Sequence, residues 1–561
     1  MQRPLIECVP NFSEGRDLAI IQRITNQIES VEGVRLLDVD PGKATNRTVV
    51  TFVGEPEPVI EAAYLAIKTA AELIDMSKHQ GEHPRMGATD VCPLVPIAHI
   101  SMEETVQWAH KLAERVGADL DIPLYLYEAA ATQPERRNLA TVRAGEYEGL
   151  PEKLQQPAWR PDYGPAKFNP RAGATAIGAR DFLIAYNVNL NTTSVRRANS
   201  VAFDVREKGR IKREGHPITG KIVTDDEGDP VRTPGVLQAV KGIGWFIEEY
   251  GIAQISMNLT DIQTTPLHTA FEACRESANR RGLRVTGSEL VGLVPLRVML
   301  EAGRYFLRQQ QRSTGVSESE LIKIAVRSMG LDELSPFEPA QKIIEYRLRD
   351  STDQPLLAMD LRAFADETAS ESPAPGGGSI AAYAGALGAS LGTMVANLSA
   401  HKRGWDDRWE EFSTWAAKGQ ALKDRLLALV DADTAAFHGI MAAVRMPRGS
   451  AEEKATRKAA LEAATANAIE IPLTVMQAAL DCFELLEAMA KHGNPNSASD
   501  AGVGALCCRA AVRGAYLNVR INAKDLADPQ RRKLFLAEGA ALEKRAAELE
   551  QRVLELVEGA L

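Results

Sequence analysis

The chain has 561 residues, with 65 Lys and Arg against 75 Asp and Glu, so its formal net charge is −10 at pH 7. Hydrophobic residues make up 45% and charged residues 25%. This excludes collagen-like, mucin-like and fully disordered chains, because none of these carries enough apolar side chain to build a core. The acidic balance argues against a dedicated nucleic-acid binder, which needs a basic face. At about 150 residues per domain, the length predicts three to four domains.

The cysteine pattern favours a reducing compartment. Six cysteines are scattered along the chain without a CxxC pair, which is neither a disulfide framework nor a zinc knuckle. The N-terminal sequence lacks the long apolar stretch of a signal peptide. We therefore expect a cytoplasmic protein.

Apolar periodicity predicts that residues 1–181 form a ferredoxin-like subdomain. A first strand at 5–9 is followed by a helix marked by isoleucines from Ile20 to Ile28. Branched residues then favour two strands, a second helix and a further strand, which is the order of the split βαβ unit. These later elements are expected at 34–39, 48–53, 57–74 and 91–97, with an added helix at 102–117 and strand at 124–127.

The same element order recurs in residues 182–346. The expected elements are strands at 182–190, 243–247, 252–259 and 285–294 and helices at 193–207 and 266–282. We therefore predict a multidomain protein whose α+β half contains two ferredoxin-like subdomains with a crevice between them, a preferred place for small-molecule sites. Residues 206–235 look like an insertion, either a solvated loop or a lid over a ligand.

Strand signals largely vanish after a polar linker at 347–355, so residues 356–561 are predicted to form an all-α domain. Its first long helix needs a test as a membrane span, because there is no charged residue between Glu371 and His401. Large apolar residues there recur every three or four positions, while most others are Gly, Ala and Ser. This pattern favours a buried helix with close neighbours, and we expect no membrane span.

The densest polar cluster of the first region runs from Met76 to Met86 and contains His79 and His83. Histidines four apart share one face of a helix, which would suit a metal. The intervening glycine and following proline make a continuous helix doubtful, and no third ligand is evident. A loop that presents an imidazole to a cleft is the alternative, since histidine shuttles protons near neutral pH. Arg85 and Asp40 are candidate substrate contacts beside it.

Each of three other segments has two possible interpretations. Residues 161–180 alternate Gly and Pro with cations and aromatics, which is typical of an extended binding loop or of a plain linker. The glycines before Ser379 mark either an anion site at a helix start or a cap that allows close approach. In a nearby apolar helix, Asp433 shares a face with Val430 and Phe437, although spacing alone does not separate it from Asp431.

The sequence resembles the bifunctional formimidoyltransferase-cyclodeaminase family from Glu7 nearly to the C-terminus. The resemblance is carried by long motifs: ECVPNFSEG, TNRTVVTFVGEP, IDMSKHQGEHPRMGATDVCPLVP, YLYEAA, RAGEYEGLPEKL, GPAKFNPRAGATAIGARDFLIAYNVNL, GSELVGLVPL, SPAPGGGSIAA, VDADTAAF and GAYLNVRINAKD. It implies transfer of the formimino group of N-formimino-L-glutamate to tetrahydrofolate. It further implies cyclisation of 5-formiminotetrahydrofolate to 5,10-methenyltetrahydrofolate with release of ammonia, in histidine degradation.

The resemblance also implies roles for particular residues. The catalytic histidine of the transferase falls on His83 and the catalytic aspartate of the cyclodeaminase on Asp433, with Asp431 as the fallback. The folate-binding residues fall on two segments: Gly164, Pro165, Lys167, Phe168, Asn169, Arg171 and Gly173, and then Thr233, Pro234 and Gly235. The segment 206–235, which contains the second contact, departs from the family form in being longer.

The resemblance implies tetrahydrofolate as a co-substrate, with no metal or redox cofactor, and a homo-oligomer, by family analogy an octamer. Two alternatives stay open. One is a related transferase fused to a helical domain with a lost or different activity. The other is a non-enzymatic scaffold that uses the helical domain for assembly.

Overall fold

The structure is a computed structural model, which describes residues 4–43, 46–81, 84–215, 219–348 and 354–561. Two compact units are present. The first comprises Met1–Val298 and Met329–Leu348, and the second comprises Met299–Ser328 and Arg349–Leu561.

The strands, in chain order, are β1 (Leu5–Cys8), β2 (Asn11–Phe12), β3 (Val34–Gly42), β4 (Arg47–Gly54), β5 (Thr89–Ala98), β6 (Leu124–Glu128), β7 (Thr175–Ala179), β8 (Ile184–Leu190), β9 (Arg210–Ile211), β10 (Arg213–Glu214), β11 (Lys221–Ile222), β12 (Arg232–Thr233), β13 (Val240–Ile247), β14 (Ile252–Leu259) and β15 (Val285–Val291). The helices are α1 (Leu18–Glu29), α2 (Pro56–Leu73), α3 (Met102–Leu120), α4 (Leu139–Val142), α5 (Glu146–Lys153), α6 (Val195–Val205), α7 (Leu267–Asn279), α8 (Leu296–Gln309), α9 (Glu318–Met329), α10 (Pro339–Lys342), α11 (Ile344–Leu348), α12 (Leu361–Thr368), α13 (Gly377–Ala400), α14 (Trp409–Arg445), α15 (Ala451–His492), α16 (Ala498–Asn522) and α17 (Pro529–Glu558).

The first sheet confirms the predicted ferredoxin-like order and extends it. The bent first strand, β1 with β2, lies between β4 and β5 and is antiparallel to both, while β3 pairs with the outer side of β4. Two further strands, β7 and then β6, continue the sheet in parallel beyond β5. Apolar side chains from this sheet and from α1, α2 and α3 form the core of the subdomain.

Strand β7 corrects one prediction. Residues 161–180 were expected to be a binding loop or linker, but Thr175–Ala179 is a fully buried parallel strand between β5 and β6. Small residues let the neighbouring backbone approach, since a Cβ added to Gly178 would lie 2.6 Å from a ring carbon of Tyr127. Thr175 and Ile177 favour a strand, but the other three residues of this short segment are alanine or glycine, which disfavour one, and this explains the wrong prediction.

The second sheet repeats the ferredoxin-like order with four antiparallel strands, β13–β14–β8–β15, and α6 and α7 pack with it. Two short antiparallel pairs, β9 with β12 and β10 with β11, form much of the expected insertion. A tight turn is stabilised by Asp225, whose carboxylate accepts the backbone N–H groups of Glu227 and Asp229. Neither the lid nor the solvated-loop interpretation is tested by these contacts.

The second unit consists of long packed helices, as predicted. Helix α13 packs against α14, α15 and α16, and its glycines allow the close approach; a Cβ on Gly388 would lie 2.4 Å from the Cys508 sulfur. By length and composition, Gly377–Ala400 and Asp406–Arg445 could each cross a membrane. The apolar window of the first is 61% buried within the protein, which agrees with the buried helix expected there.

The second unit also includes residues that the sequence placed in the second subdomain. The carbonyl of Gly315 accepts hydrogen bonds from the side-chain amides of Asn397 (2.9 Å) and Gln420 (3.2 Å). The backbone N–H of Thr314 donates to the hydroxyl of Ser413 at 2.9 Å. The predicted domain boundaries stay predictions, but the loop between α8 and α9 belongs by its contacts to the helical unit.

Candidate active sites

The polar segment after α2 begins with one turn of 3₁₀ helix, Met76–Lys78, which Asp75 caps by accepting the N–H of Ser77. The imidazole of His79 follows. Its Nε2 lies 2.9 Å from the backbone carbonyl oxygen of Asn46, and its Nδ1 accepts a hydrogen bond from Nε of Arg85 at 3.3 Å. His83 and its neighbour Glu82 lie outside the described residues, so the role of His83 stays a prediction.

Arg85 is buried and also pairs with two carboxylates. Its guanidinium donates to Glu148 at 2.7 and 3.0 Å and to Glu146 at 3.1 Å. The bond to Glu148 is the main reason that the pKa of Arg85 is raised and that the pKa of Glu148 is lowered. A substrate carboxylate would therefore share or displace these partners, and the substrate contact of Arg85 stays a prediction.

The predicted folate loop lies along this segment. The backbone N–H of Met76 donates to the carbonyl of Arg171 at 3.0 Å, and that of Ala88 donates to the carbonyl of Ala172 at 2.8 Å. Gly173 has φ +67°, and a Cβ there would lie 2.2 Å from the carbonyl oxygen of Met86. Glycine is therefore required for the loop to approach so closely. At the other end of the loop, Gly164 has φ +75° and packs on Ile122.

Within the loop, most predicted binding residues also have internal partners. The Phe168 ring lies 5.4 Å from that of Tyr147, whose hydroxyl donates to the carbonyl of Pro170 at 2.6 Å. The side-chain carbonyl of Asn169 accepts the backbone N–H groups of Arg171 and Ala172. Lys167 is exposed, Pro165 is half-buried, and the guanidinium of Arg171 donates to the carbonyl of Glu72.

Asp40, a predicted substrate contact, belongs to a charged cluster in the same subdomain whose other members Asp90, Arg143 and Arg47 the sequence analysis missed. Asp90 is buried within β5, pairs with Arg143 and accepts the backbone N–H of Met86 at 3.1 Å. Burial lowers the pKa of Arg47 to about 10, while Asp90 and Asp40 oppose that shift. Burial, and then the charge of Asp40, raise the pKa of Asp38. The sequence did contain one sign of this cluster, because Asp90 is an acidic residue next to the apolar run of β5.

The second predicted folate contact lies in the other subdomain. Gly235 donates its N–H to the carbonyl of Glu207 at 3.4 Å, and a Cβ on Gly209 would lie 1.9 Å from the carbonyl oxygen of Thr233. Thr233, Pro234 and Gly235 thus pack beside the end of α6. These contacts place them near the short hairpins, and folate binding by them stays a prediction.

The helical unit brings Asp433 to the first turn of α13. The hydroxyl of Ser379 lies 3.2 Å from Oδ2 of Asp433 and 2.9 Å from the carbonyl oxygen of Val430. Burial raises the pKa of Asp433, and hydrogen bonds from the side chain and backbone of Ser379 oppose that shift. Gly378 makes the approach possible, because a Cβ there would lie 2.1 Å from Oδ1 of Asp433. Asn518 lies beside the preceding glycine.

Asp431, two residues earlier, has a different set of partners. Its two carboxylate oxygens accept the backbone N–H groups of Leu356 at 3.0 Å and Leu357 at 3.3 Å. It therefore holds the chain where it enters the helical core, in which Leu356 is buried. This geometry favours Asp433 as the group available for proton transfer, although its catalytic assignment stays a prediction.

Two cavities lie away from these clusters. One of about 460 Å³ is lined by residues between Arg275 and Val285, and one of about 500 Å³ lies between α13 and α14 near Asn397 and Lys423. Neither is lined by a predicted site residue. Within the described part of the chain, no group of three or more His, Cys, Asp or Glu side chains could hold a metal ion.

Three family models match the chain in succession. Residues 5–180 match the N-terminal subdomain of the formiminotransferase domain, residues 185–349 match the formiminotransferase domain, and residues 360–541 match formiminotransferase-cyclodeaminase. The matches follow the change from α+β to all-α structure.

Curated relatives agree over nearly the whole length. The chain is 45% identical over 525 residues to formimidoyltransferase-cyclodeaminase from Gallus gallus, which covers 93% of both chains. It is 42% identical over 555 residues to the protein of the same name from Dictyostelium discoideum, with 99% of this chain and 98% of that one covered. Glutamate formimidoyltransferase from Streptococcus pyogenes is 42% identical over 304 residues, 54% of this chain and 93% of the relative. The chain belongs to the formimidoyltransferase-cyclodeaminase family.

Proposed function

We propose that the chain is a bifunctional folate enzyme that acts in histidine degradation. Its α+β half transfers the formimino group of N-formimino-L-glutamate to tetrahydrofolate. Its helical half closes 5-formiminotetrahydrofolate to 5,10-methenyltetrahydrofolate and releases ammonia. The observation that carries the proposal is the family match over 99% of the chain, which spans both compact units.

In the transfer, a folate nitrogen attacks the amidine carbon and forms a tetrahedral intermediate. His83 as a neutral imidazole accepts the proton that the attacking nitrogen loses. As an imidazolium it then protonates the amine of glutamate, and the bond from that nitrogen to carbon breaks. The hydrogen bonds from Met76 to Arg171 and from Ala88 to Ala172 support this assignment, because they join the two ends of the histidine-bearing segment to the loop that we propose binds folate.

In the cyclisation, the second folate nitrogen attacks the formimino carbon and ammonia leaves. The leaving nitrogen needs a proton, which a carboxylic acid at Asp433 supplies. Burial raises the pKa of Asp433, so the proton is retained closer to neutral pH than on an exposed aspartate. The resulting carboxylate then stabilises the cationic methenyl product.

Absorbance of the methenyl product tests both steps. Purified protein given N-formimino-L-glutamate and tetrahydrofolate should form the methenyl chromophore and release one ammonia and one glutamate per product. Supplied 5-formiminotetrahydrofolate should give chromophore and ammonia without glutamate. A protein that transfers the formimino group but never forms chromophore would reject the second activity. A protein that binds no folate would reject the proposal and favour a scaffold.

The proposed setting is a cytoplasmic homo-oligomer, by family analogy an octamer. All six cysteines are free thiols, which supports a reducing compartment. Light scattering of the purified protein tests the oligomeric state, and fractionation of cells tests the location.

A further inference from the structure

His79 forms side-chain hydrogen bonds to two residues from different segments of the chain, Asn46 and Arg85. Its Nε2 lies 2.9 Å from the carbonyl oxygen of Asn46, a group that can only accept. Its Nδ1 lies 3.3 Å from Nε of Arg85, a group that can only donate. The two partners therefore fix one tautomer: the hydrogen is on Nε2 and the lone pair is on Nδ1.

On one side, His79 binds the backbone carbonyl of Asn46. Asn46 has φ +47°, in the left-handed region, and its side chain is buried. The side-chain carbonyl of Asn46 accepts the backbone N–H of Gly15 at 3.0 Å, and its amide donates to the carbonyl of Gln80 at 3.0 Å. The bond from His79 to the Asn46 carbonyl thus joins Asn46 to the histidine-bearing segment.

On the other side, Arg85 carries the connection to the predicted folate loop. Its guanidinium binds Glu146 and Glu148, and its carbonyl accepts the N–H of Tyr147 at 2.9 Å. Tyr147 in turn contacts Phe168 through its ring and donates its hydroxyl to Pro170. A continuous series of hydrogen bonds and one ring contact thus runs from Asn46 to the loop.

We propose that His79 is a positioning residue of the transfer reaction, which as the Nε2–H tautomer orients Arg85 and through it the aromatic part of the folate loop. This inference rests on the proposed function only for its effect on turnover. The tautomer and the state of the loop are properties of the protein alone.

The decisive comparison is between His79→Gln and His79→Leu in the full-length protein. Glutamine keeps an amide N–H for the Asn46 carbonyl and an oxygen for Arg85, whereas leucine keeps only bulk. His79→Leu should raise KM for tetrahydrofolate about tenfold or more and lower kcat less, because the loop is misplaced while the proton shuttle remains. His79→Gln should recover most of that loss. His492→Leu, a change at an exposed histidine of the other unit, is the matched control and should change neither constant.

Two further measurements test the role of His79 without depending on catalytic turnover. In the wild-type protein, ¹⁵N spectra of labelled histidine should show the Nε2–H tautomer for the signal that is lost in His79→Gln. Calorimetric binding of tetrahydrofolate should weaken in the leucine variant and recover in the glutamine variant. An Nδ1–H tautomer, or a folded leucine variant equal to wild type, would overturn the inference. If the wild-type protein binds folate but does not transfer the formimino group, the proposed function is wrong. The NMR and calorimetric measurements would still test the positioning role of His79.

Discussion

The hydroxyl of Ser379 lies 3.2 Å from Oδ2 of Asp433 and has two other oxygen neighbours, the Val430 carbonyl at 2.9 Å and the Thr434 hydroxyl at 3.2 Å. The Val430 carbonyl competes with the Asp433 carboxylate for the one hydrogen of the Ser379 hydroxyl, and this competition weakens the hydrogen bond that lowers the pKa of Asp433. Burial is the larger effect and raises that pKa. The first turn of α13 can therefore hold Asp433 as an acid.

Gly378→Ala should abolish or strongly reduce cyclisation without unfolding the helical unit. The added methyl would lie 2.1 Å from Oδ1 of Asp433, so the carboxyl must move. Gly439→Ala in the same helix as Asp433 is the control, because a Cβ there meets nothing within 4 Å. Methenyl formation from 5-formiminotetrahydrofolate measures the effect, and circular dichroism measures folding. Equal activity of the two variants would show that the position of Asp433 is unimportant.

Asp431→Ala should mainly destabilise the protein. It leaves the N–H groups of Leu356 and Leu357 without their acceptor, which costs about 1–3 kcal/mol in the free energy of unfolding. Asp431→Asn keeps one acceptor oxygen and should cost less. Denaturant unfolding of the full chain gives the cost, and the rate per folded molecule should stay near wild type. The assignment of Asp433 as the catalytic aspartate would be wrong if Asp431→Asn is stable but does not cyclise the substrate while Asp433→Asn remains active.

Glu7 gives a pH-dependent prediction for the first unit. This side chain is buried in β1, and burial raises its pKa from 4.5 to about 7, with Arg180 opposing and Glu345 adding to the shift. Because the folded pKa is above the unfolded one, the stabilisation from protonated Glu7 is complete below pH 4.5 and is lost as the pH rises through 7.

Glu7→Gln should therefore become more stable relative to wild type as the pH rises. The difference in free energy of unfolding should be near its minimum at pH 4.5 and grow by about 3 kcal/mol at pH 8, from a pKa shift of 4.5 to about 7. Denaturant titrations at both pH values measure it. A difference that is constant with pH, or that shrinks toward pH 8, would show that Glu7 titrates normally.

The ferredoxin-like order was predictable from sequence because its strands and helices have distinct apolar periods. Strand β7 was not, since its small residues carry no such period and its place depends on neighbours far away in the chain. Burial of α13 was predictable for the opposite reason: a narrow stripe of large residues beside glycine and alanine favours close helix packing. Its partners, such as Cys508 beside Gly388, are visible only in the structure.

The sequence predicted which residues form the candidate sites, but it did not predict which other residues they contact. Spacing does not decide whether Asp431 or Asp433 is the catalytic aspartate. The helical period gives no sign that the chain just after the linker binds Asp431 through the backbone N–H of Leu356. Likewise, the sequence marks Arg85 as a candidate substrate contact but does not reveal its partners Glu146 and Glu148, which lie 61 and 63 residues away in the chain. Long-range pairing of this kind has no local signal in the sequence.

The most direct test of two separate chemistries on one chain is a reciprocal assay of His83→Ala and Asp433→Asn in the full-length protein. Each variant is assayed for formimino transfer to tetrahydrofolate and for methenyl formation from supplied 5-formiminotetrahydrofolate. The account predicts that His83→Ala loses transfer and keeps cyclisation near wild type, whereas Asp433→Asn loses cyclisation and keeps transfer. Loss of both activities in either folded variant, or retention of most transfer by His83→Ala, would contradict it.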